Sequence, residues 1–388
     1  MTKILHFIPD EKVTDQIIEI FTVINKDNVF FVFKKSKDAY KYTKNIKENV
    51  IGFSYDLHKI NNIIDTHKFK AIIVHGMRLE FAKIILEIKT EISIGWVAWG
   101  FDIYGLPKIQ PSLYAFKTNS FLLKSDKILF IKRFIKKYNF LRKIYFKNLL
   151  KREDYNTIIL RAIEKVKYFC SYVEEDFNFF SLYYPNRLKF LYAAFNSIDQ
   201  YLAGNNNLII FDDAVNILVG NSNTPECNHI DVFDQLSLFK EVSNLIYVPL
   251  SYGDDEKYKH AVINHGNKQF GNRFVPMLDF MDRVKYINIL QSCSVGVFYH
   301  YRQQAMGNII AMLYMGSRIY LSSRNPAYQY LKKNGILVFD FDKDFKIYSN
   351  SKLNMVDIEK NRKILNSIFS AEKVEKDLMR LSDILIGT

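Results

Sequence analysis

A chain of 388 residues exceeds what one hydrophobic core usually organises, so two domains are expected. Hydrophobic residues at 48% with 24% charged exclude a disordered chain; three scattered cysteines, Cys170, Cys227 and Cys293, exclude a disulfide framework or thiolate zinc cluster and fit a reduced compartment. A net charge of +13 asks for an anionic partner or surface.

The predicted elements alternate between short β-like runs and helical patterns, which implies parallel α/β sheets. The N-terminus MTKILHFIPD reads as a first strand and is too short for a signal peptide. Strands are expected at 3–8, 28–33, 71–74, 94–98, 168–171 and 188–191. Residues 193–213, with three consecutive asparagines and two aspartates, read as a linker. A second α/β unit follows, with strands at 215–219, 245–249, 273–275, 294–299 and 318–321. The expected domains are therefore 1–200 and 214–370, with 371–388 as a terminal helix packing back on the first. No apolar run reaches the roughly 18 residues a membrane span needs, so a cytoplasmic protein is expected. Aromatic content of 15% fits either an Ile/Phe-rich core or a carbohydrate or lipid surface.

Between Lys124 and Arg152 stand eleven Lys and Arg residues against the single acid Asp126, with Phe130, Phe134, Phe140 and other apolar residues at roughly helical spacing. A solvated helix over the core, an anionic bilayer surface and a nucleic acid would each suit such a segment. No nucleic-acid-binding module accompanies it, so nucleic acid is not expected as a partner. Lys132, Arg133, Lys136 and Lys137 are the residues expected to face a membrane.

Candidate site residues cluster where strands end. In the first half, Val74-His75-Gly76-Met77-Arg78 ends one strand and Trp96–Tyr104 ends its neighbour. His75 and Asp102 should then share a rim, where either serves as general base toward an acceptor hydroxyl. Asp102 equally suits a helix cap, and His75 a structural hydrogen bond. Gly76, Trp99 and Tyr104 are candidate acceptor contacts.

In the second half, Gly220-Asn221-Ser222-Asn223-Thr224 follows the first strand, a polar turn that suits a diphosphate clamp or an ordinary helix cap. It is neither GxGxxG nor a Walker loop. Tyr252 and Gly253 follow the next strand; Phe280 and Met281 follow another, where they would flank a nucleobase or cap the core. Arg302-Gln303-Gln304 leads to a helix start at Gly307-Asn308, a place where free amides and the helix dipole receive anions. The Arg324-Asn325-Pro326 turn should lie beside it at the same sheet edge.

Together VHGM at Val74–Met77, WVAWGFDIY at Trp96–Tyr104, ILVGNS at Ile217–Ser222, VPLSYG at Val248–Gly253 and RQQxxG…RNP at Arg302–Pro326 carry a resemblance over residues 5–339. They are similar to the bacterial TDP-N-acetylfucosamine:lipid II N-acetylfucosaminyltransferases, glycosyltransferase family 56, also called 4-alpha-L-fucosyltransferases. Two departures stand out: the Lys-rich segment 124–152, and Ala305-Met306 in place of a more glycine-like pair.

The resemblance implies a GT-B enzyme, with two Rossmann-like domains facing across a cleft, peripheral to the cytoplasmic face of the bacterial inner membrane. It would move a 4-acetamido-4,6-dideoxy-galactose or fucose-type 6-deoxy-hexose from a nucleotide diphospho-sugar, TDP-linked, to a polyprenyl-diphosphate-linked saccharide in surface-glycan assembly. No cofactor and no metal are expected, since no DxD pair stands at a strand end. Asp212-Asp213 and Asp254-Asp255 read as solvated turns. Arg302 and the helix-start amides would then stabilise the diphosphate leaving group. The stereochemical outcome is left open, because residues 301–311 lack a spaced Glu pair. The rival functions are a non-catalytic nucleotide-sugar or glycan-binding protein and a nucleotide-sugar 2-epimerase.

Overall fold

The computed structural model describes residues 3–34, 40–44, 46–53, 60, 63–64, 68–202, 204–238, 244–345 and 352–387. Its contacts divide the chain into two compact units: residues 1–110, 135–195 and 371–388 form unit 1, and residues 111–134 and 196–370 form unit 2.

Unit 1 is built on seven parallel strands: β1 (Ile4–Pro9), β2 (Val29–Phe33), β3 (Val50–Phe53), β4 (Ala71–His75), β5 (Ser93–Val97), β6 (Tyr168–Ser171) and β7 (Lys189–Tyr192). They lie in the order β3-β2-β1-β4-β5-β6-β7. All residues of β1 and β4 are buried, which is why they read as continuous apolar runs without alternation. The helices Leu79–Glu87 and Tyr155–Ile163 pack on each other, and the helix Ala371–Ile386 packs on Thr14–Ile24 and on β4, β5 and β7.

Unit 2 has six parallel strands: β8 (Asn216–Val219), β9 (Ile246–Pro249), β10 (Phe274–Met277), β11 (Cys293–Phe298), β12 (Arg318–Leu321) and β13 (Phe339–Asp340). Their order is β10-β9-β8-β11-β12-β13. Its core sets Phe233 edge-on to Phe270 and Phe274, with Val248, Tyr258 and Val295 in the same buried cluster. Truncating such a ring to alanine would cost about 3–5 kcal/mol.

Residues 111–134 leave the first half of the sequence to join unit 2. Their helix Phe116–Ser125 is fastened to the helix His229–Leu236 by the Asp231 carboxylate, which accepts from the Lys117 and Thr118 amides at 2.7 and 2.9 Å and from the Thr118 hydroxyl at 2.7 Å. Asn228 completes the seam: it accepts from the Ala115 amide at 2.8 Å and donates to the Leu113 and Tyr299 carbonyls. The stretch 193–213, expected as bare linker, contains the helix Ile198–Tyr201, whose start is closed by a reciprocal Ser197–Gln200 capping box.

The basic segment is likewise not one helix. It breaks into Leu129–Lys137, Asn139–Ile144 and a π-helical turn at Tyr145–Leu149, after Asp126 has accepted from the Ile128 amide and stopped the preceding helix. No described helix is long and apolar enough to cross a membrane.

Candidate functional site

Each sheet reverses the direction of its strand order once, between β1 and β4 in unit 1 and between β8 and β11 in unit 2. Loops leaving the carboxyl ends of strands on either side of such a reversal separate, and ligands of open α/β sheets bind in the resulting crevice.

In unit 2 the two loops are residues 220–224 after β8 and 299–305 after β11. Gly220 turns the chain with φ +68°, and a Cβ there would stand 2.6 Å from the His229 ring, so only glycine fits. The Gln304 amide reaches across to Asn221 Oδ1 at 2.9 Å and to the Ser222 and Thr224 hydroxyls at 3.4 Å. The third loop joins through the Asn223 amide, which donates to the Tyr252 carbonyl at 2.7 Å. Gly253 (φ +116°) leaves the space that Asn223 Oδ1 fills, only 1.8 Å from where a Cβ would be. Three predicted loops therefore meet at one sheet edge.

The helix Met306–Met315 begins there. Its N-cap, Ala305, sits in the left-handed region at φ +63° and offers no side-chain cap, and the space where a Gly307 side chain would stand is open. An uncapped N-terminus directs amides and the positive end of the dipole outward. Arg302 stands just before it, half-buried, and its guanidinium acts electrostatically on Tyr114 and His300. Gln303 lies beside it, also half-buried.

Other predicted donor contacts separate into two groups. Tyr252 and Phe280 are 70% and 83% exposed, so Phe280 does not cap the core, and Met281 is intermediate. Asn308 donates to the Tyr286 hydroxyl at 2.8 Å, and Asn325 is fully buried, capping the helix Pro326–Lys333 through the Ala327 amide. Both side chains are thus engaged within unit 2, and the Arg324 guanidinium next to Asn325 lies 4.1 Å over the Tyr301 ring, which sets this turn beside loop 299–305. Asp255, read as a solvated turn, caps the helix Glu256–Phe270 through the Tyr258 amide.

Sequence reasoning passed over what lies beneath these loops. The buried thiol of Cys227 is within 3.3–3.8 Å of Ser222, Asn221, Thr224, Gln304 and His300, so it joins the two loops from below. Burial pushes this thiol up, and burial followed by the Arg302 charge holds His300 well below the usual histidine range. Tyr114, brought in by the 111–134 excursion, points its hydroxyl at Glu226 (3.4 Å). The position of Cys227 seven residues after Gly220 is visible in the sequence; the arrival of Tyr114 is not.

Unit 1 corrects the expected pair at its rim. His75 is completely buried at the end of β4, its ring nitrogen 3.0 Å from that of His6, and burial pushes it down to about 3. Asp102 is also buried: it accepts from the Met77 amide (2.8 Å), the Trp96 indole (2.6 Å) and the Trp99 amide (3.0 Å). Burial raises it despite those donors. Three N–H groups on one inward carboxylate describe a clamp on two turns. Tyr104 is buried too, donating to Asp176 at 2.5 Å. Gly76 (φ +74°) is buried under the Phe101 and Trp99 rings, and Trp99 itself is half-exposed.

The reversal point of unit 1 is instead marked by Glu11, after β1, and Arg78, after β4, paired at 2.6 Å. Asp10 beside them is already used, accepting from the Lys41, Tyr42 and Thr43 amides and the Thr43 hydroxyl. The Arg78 guanidinium lies 5.3 Å over the Phe101 ring, which is 41% exposed.

Of the four residues expected at a membrane, Lys136 and Lys137 are exposed and Lys132 pairs with Asp126 at 2.9 Å. Arg133 turns inward, donating to Asn119 at 2.6 Å and lying 5.0 Å over the Tyr114 ring. Arg142, counted in the same basic run, is buried in an ion pair with Asp154 at 2.7 Å. Among the described residues, no group of three His, Cys, Asp or Glu side chains is placed to hold a metal ion.

Solved structures share this architecture across the whole chain. Sucrose-phosphate synthase from Thermosynechococcus elongatus matches with a TM-score of 0.64 at 7% identity, covering 100% of both chains. A glycosyltransferase from Rickettsia africae matches at 0.61 and 13%, covering 99% of this chain and 98% of that one. HepE from Anabaena, solved with UDP and glucose, matches at 0.52 and 11%, covering 100% and 96%. At these identities the likeness establishes the fold, which is GT-B. The family model for 4-alpha-L-fucosyltransferase, glycosyl transferase group 56, matches residues 158–375, more than half of the chain. The chain belongs to that family: it is a glycosyltransferase acting on a nucleotide diphospho-sugar.

Proposed function

We propose that this glycosyltransferase moves a 6-deoxy-hexose of the N-acetylfucosamine or fucose type from a TDP-linked donor to a polyprenyl-diphosphate-linked saccharide, at the cytoplasmic face of the bacterial inner membrane. The observation that carries this reading is the junction of loops 220–224, 252–253 and 302–304 at the reversal point of unit 2, beside the uncapped start of the helix Met306–Met315.

The chemistry follows from that edge. Asn221, Thr224 and Gln304, all half-buried, offer amide and hydroxyl groups to sugar and phosphate oxygens, whereas Ser222 and Asn223, expected as contacts, are buried and brace the loop; Gly307 leaves the helix start open to the diphosphate. As the glycosidic bond lengthens, negative charge accumulates on the diphosphate, and Arg302 with the helix-start amides stabilises it. Tyr252 and Phe280, both largely exposed, flank the base. At the reversal point of unit 1, Glu11 supplies the carboxylate that takes the acceptor hydroxyl's proton, Arg78 orients it, and Trp99 and Phe101 offer faces to the acceptor saccharide. Asp102 holds the Met77 and Trp99 turns in place and is a positioning residue.

Membrane docking is supported by the helix Leu129–Lys137, which has no buried residue and exposes Phe130, Ile131 and Phe134 together with Lys136 and Lys137. The deciding experiment pairs a thermal-shift series of TDP-, UDP- and GDP-sugars with transfer from the best donor to a polyprenyl-diphosphate saccharide. A donor at 100 times its Kd should add about 2.7 kcal/mol to stability. Preferential stabilisation by TDP-N-acetylfucosamine followed by transfer supports the proposal. Stabilisation without turnover would identify a binding protein, and conversion of the donor without acceptor an epimerase.

A further inference from the structure

Unit 1 carries a cationic cavity that the transfer chemistry leaves unused. It is an open hollow of about 570 Å³ among the exposed Lys143, Lys147, Lys151 and Arg152 with Phe146 and Thr157, and Glu153 and Asp154 complete the lining. Both acids are already compensated: Asp154 by Arg142 at 2.7 Å and Glu153 by Arg161 at 3.1 Å. No described carboxylate forms a salt bridge with Lys143, Lys147, Lys151 or Arg152, so the lining presents four uncompensated cations.

The local backbone gathers them. Lys143 and Lys147 stand four residues apart on one face of the helical run, and the π turn Tyr145–Leu149 closes with the Leu150 amide on the Tyr145 carbonyl. Lys151 then reverses the chain at φ +48°, and Arg152 is held over the Phe146 and Tyr155 rings at 5.6 and 4.7 Å. The same segment exposes Phe140 and Leu149 by 73% and 72%, and Ile144 and Leu150 by 40% and 39%. A soluble anion needs no exposed apolar side chains on the segment that carries its cationic pocket, whereas a lipid phosphate comes with acyl chains that such side chains meet.

We infer that the cavity at Lys143, Lys147, Lys151 and Arg152 binds the phosphate headgroup of an anionic phospholipid, with Phe140 and Leu149 entering the bilayer beside it. This rests on the membrane-docking reading above and adds a discrete site to it, apart from Lys136 and Lys137.

The test is flotation of the full chain on phosphatidylcholine vesicles with and without one quarter phosphatidylglycerol. It compares the wild type, a pocket variant (Lys143→Gln, Lys147→Gln, Lys151→Gln) and a control of equal charge loss on exposed lysines of the same unit (Lys26→Gln, Lys70→Gln, Lys89→Gln). At about fivefold per lysine the pocket variant should lose roughly 100-fold in affinity for the anionic vesicles, and the control less than threefold. Thermal melts check folding, and Lys147→Gln alone, expected to lose about fivefold, serves if the triple variant melts early. Equal losses in the two triple variants would assign the attraction to diffuse charge and overturn the pocket. Undiminished flotation of the pocket variant would overturn it while leaving docking intact. A wild type that ignores anionic vesicles would overturn docking and the pocket together. Stabilisation of the wild type but not the pocket variant by millimolar inorganic phosphate, with equal flotation, would replace the lipid with a free anion.

Discussion

The two units reverse their strand order at equivalent places, yet the loops at the two reversals hold opposite chemistry. In unit 2 the edge after β8 and β11 presents amides, hydroxyls, an uncapped helix start and Arg302, everything an anion receives. In unit 1 the edge after β1 and β4 presents Glu11 paired with Arg78, beneath which His6 and His75 are sealed as neutral rings. One topology thus supplies two platforms, and in the function proposed above the side chains on the loops decide which receives negative charge and which accepts a proton. Both loops after the first strand of each unit are pinned from one side: Asp10 by the amides of 41–43, and Asn221 by Gln304.

The sharpest way to break this comparison is to remove the proton acceptor. Glu11→Gln keeps shape and much of the contact with Arg78 but no basicity, so transfer should fall by about 100- to 10,000-fold while donor binding is kept. Asp102→Asn should instead lower stability by about 2 kcal/mol, because an amide NH₂ would face one of three N–H donors, and it should leave the rate of the folded enzyme within a few-fold. Single-turnover transfer alongside thermal melts separates them. A full-rate Glu11→Gln would remove the carboxylate role from the edge of unit 1.

On the other edge, Arg302→Ala should cost about 3 kcal/mol in the transition state, roughly 100-fold in kcat, with a smaller change in melting. Its contact strengthens as the leaving group gains charge, so KM for the donor should move less than kcat. A variant that loses donor binding but turns over normally when saturated would make Arg302 a ground-state contact only.

How much of this the sequence displays depends on whether periodicity or tertiary contact decides. Eleven of the thirteen strands among the described residues were anticipated, since buried parallel strands are runs of Val, Ile and Phe bounded by turns. β3 and β13, both edge strands, were missed because a lone short apolar run, Val50–Phe53 or Ile336–Phe339, does not by itself separate strand from helix. The three loops of unit 2 were legible from their position after strands. What was not legible was direction: no sequence rule says that Asn308 turns to Tyr286, that Asp102 collects three amide or indole protons, or that Arg133 and Arg142 fold inward from a basic run. Nor does local pattern reveal that residues 111–134 belong with unit 2, because the Asp231 and Asn228 hydrogen bonds that fasten them lie over a hundred residues away.

Acid should weaken the two units in parallel. Burial holds His6 and His75 in unit 1, and His229 and His300 in unit 2, below the usual histidine value of 6.5, with His75 and His229 pushed down to about 3. The unfolded chain therefore takes up these protons as pH falls through 6.5 while the folded chain does not. Stability is complete above 6.5 and drops by about 1.4 kcal/mol per histidine for each pH unit below it, down to the folded values. The two tryptophans, Trp96 and Trp99, both lie in unit 1, so urea unfolding at pH 7.5 and 5.5 read by their fluorescence isolates that unit, while far-UV circular dichroism reads both. Both midpoints should fall together; a full shift in fluorescence with only part of the circular-dichroism amplitude shifted would mean that only the His6–His75 pair stays neutral.

The smallest effect separates the two edges by sign. Ala305 holds φ +63° at the start of the helix Met306–Met315, where a Cβ costs roughly 1–2 kcal/mol relative to the right-handed region. Ala305→Gly removes that cost but frees the unfolded chain by about 0.4–1 kcal/mol, so the net gain should be near 0.5 kcal/mol. Gly76, at the matching turn of unit 1, has φ +74° and the Phe101 ring 3.0 Å from where a Cβ would stand. Gly76→Ala therefore adds the strain that Ala305→Gly relieves, and adds ring displacement to it, for a loss of about 1–2 kcal/mol. Equilibrium unfolding should show opposite shifts in the two variants. If Ala305→Gly also slows turnover about twofold while raising stability, the left-handed alanine is a rigid support for the anion-receiving amides. If turnover is unchanged, the strain at Ala305 has no part in catalysis and the two turns differ only in how their backbone is accommodated.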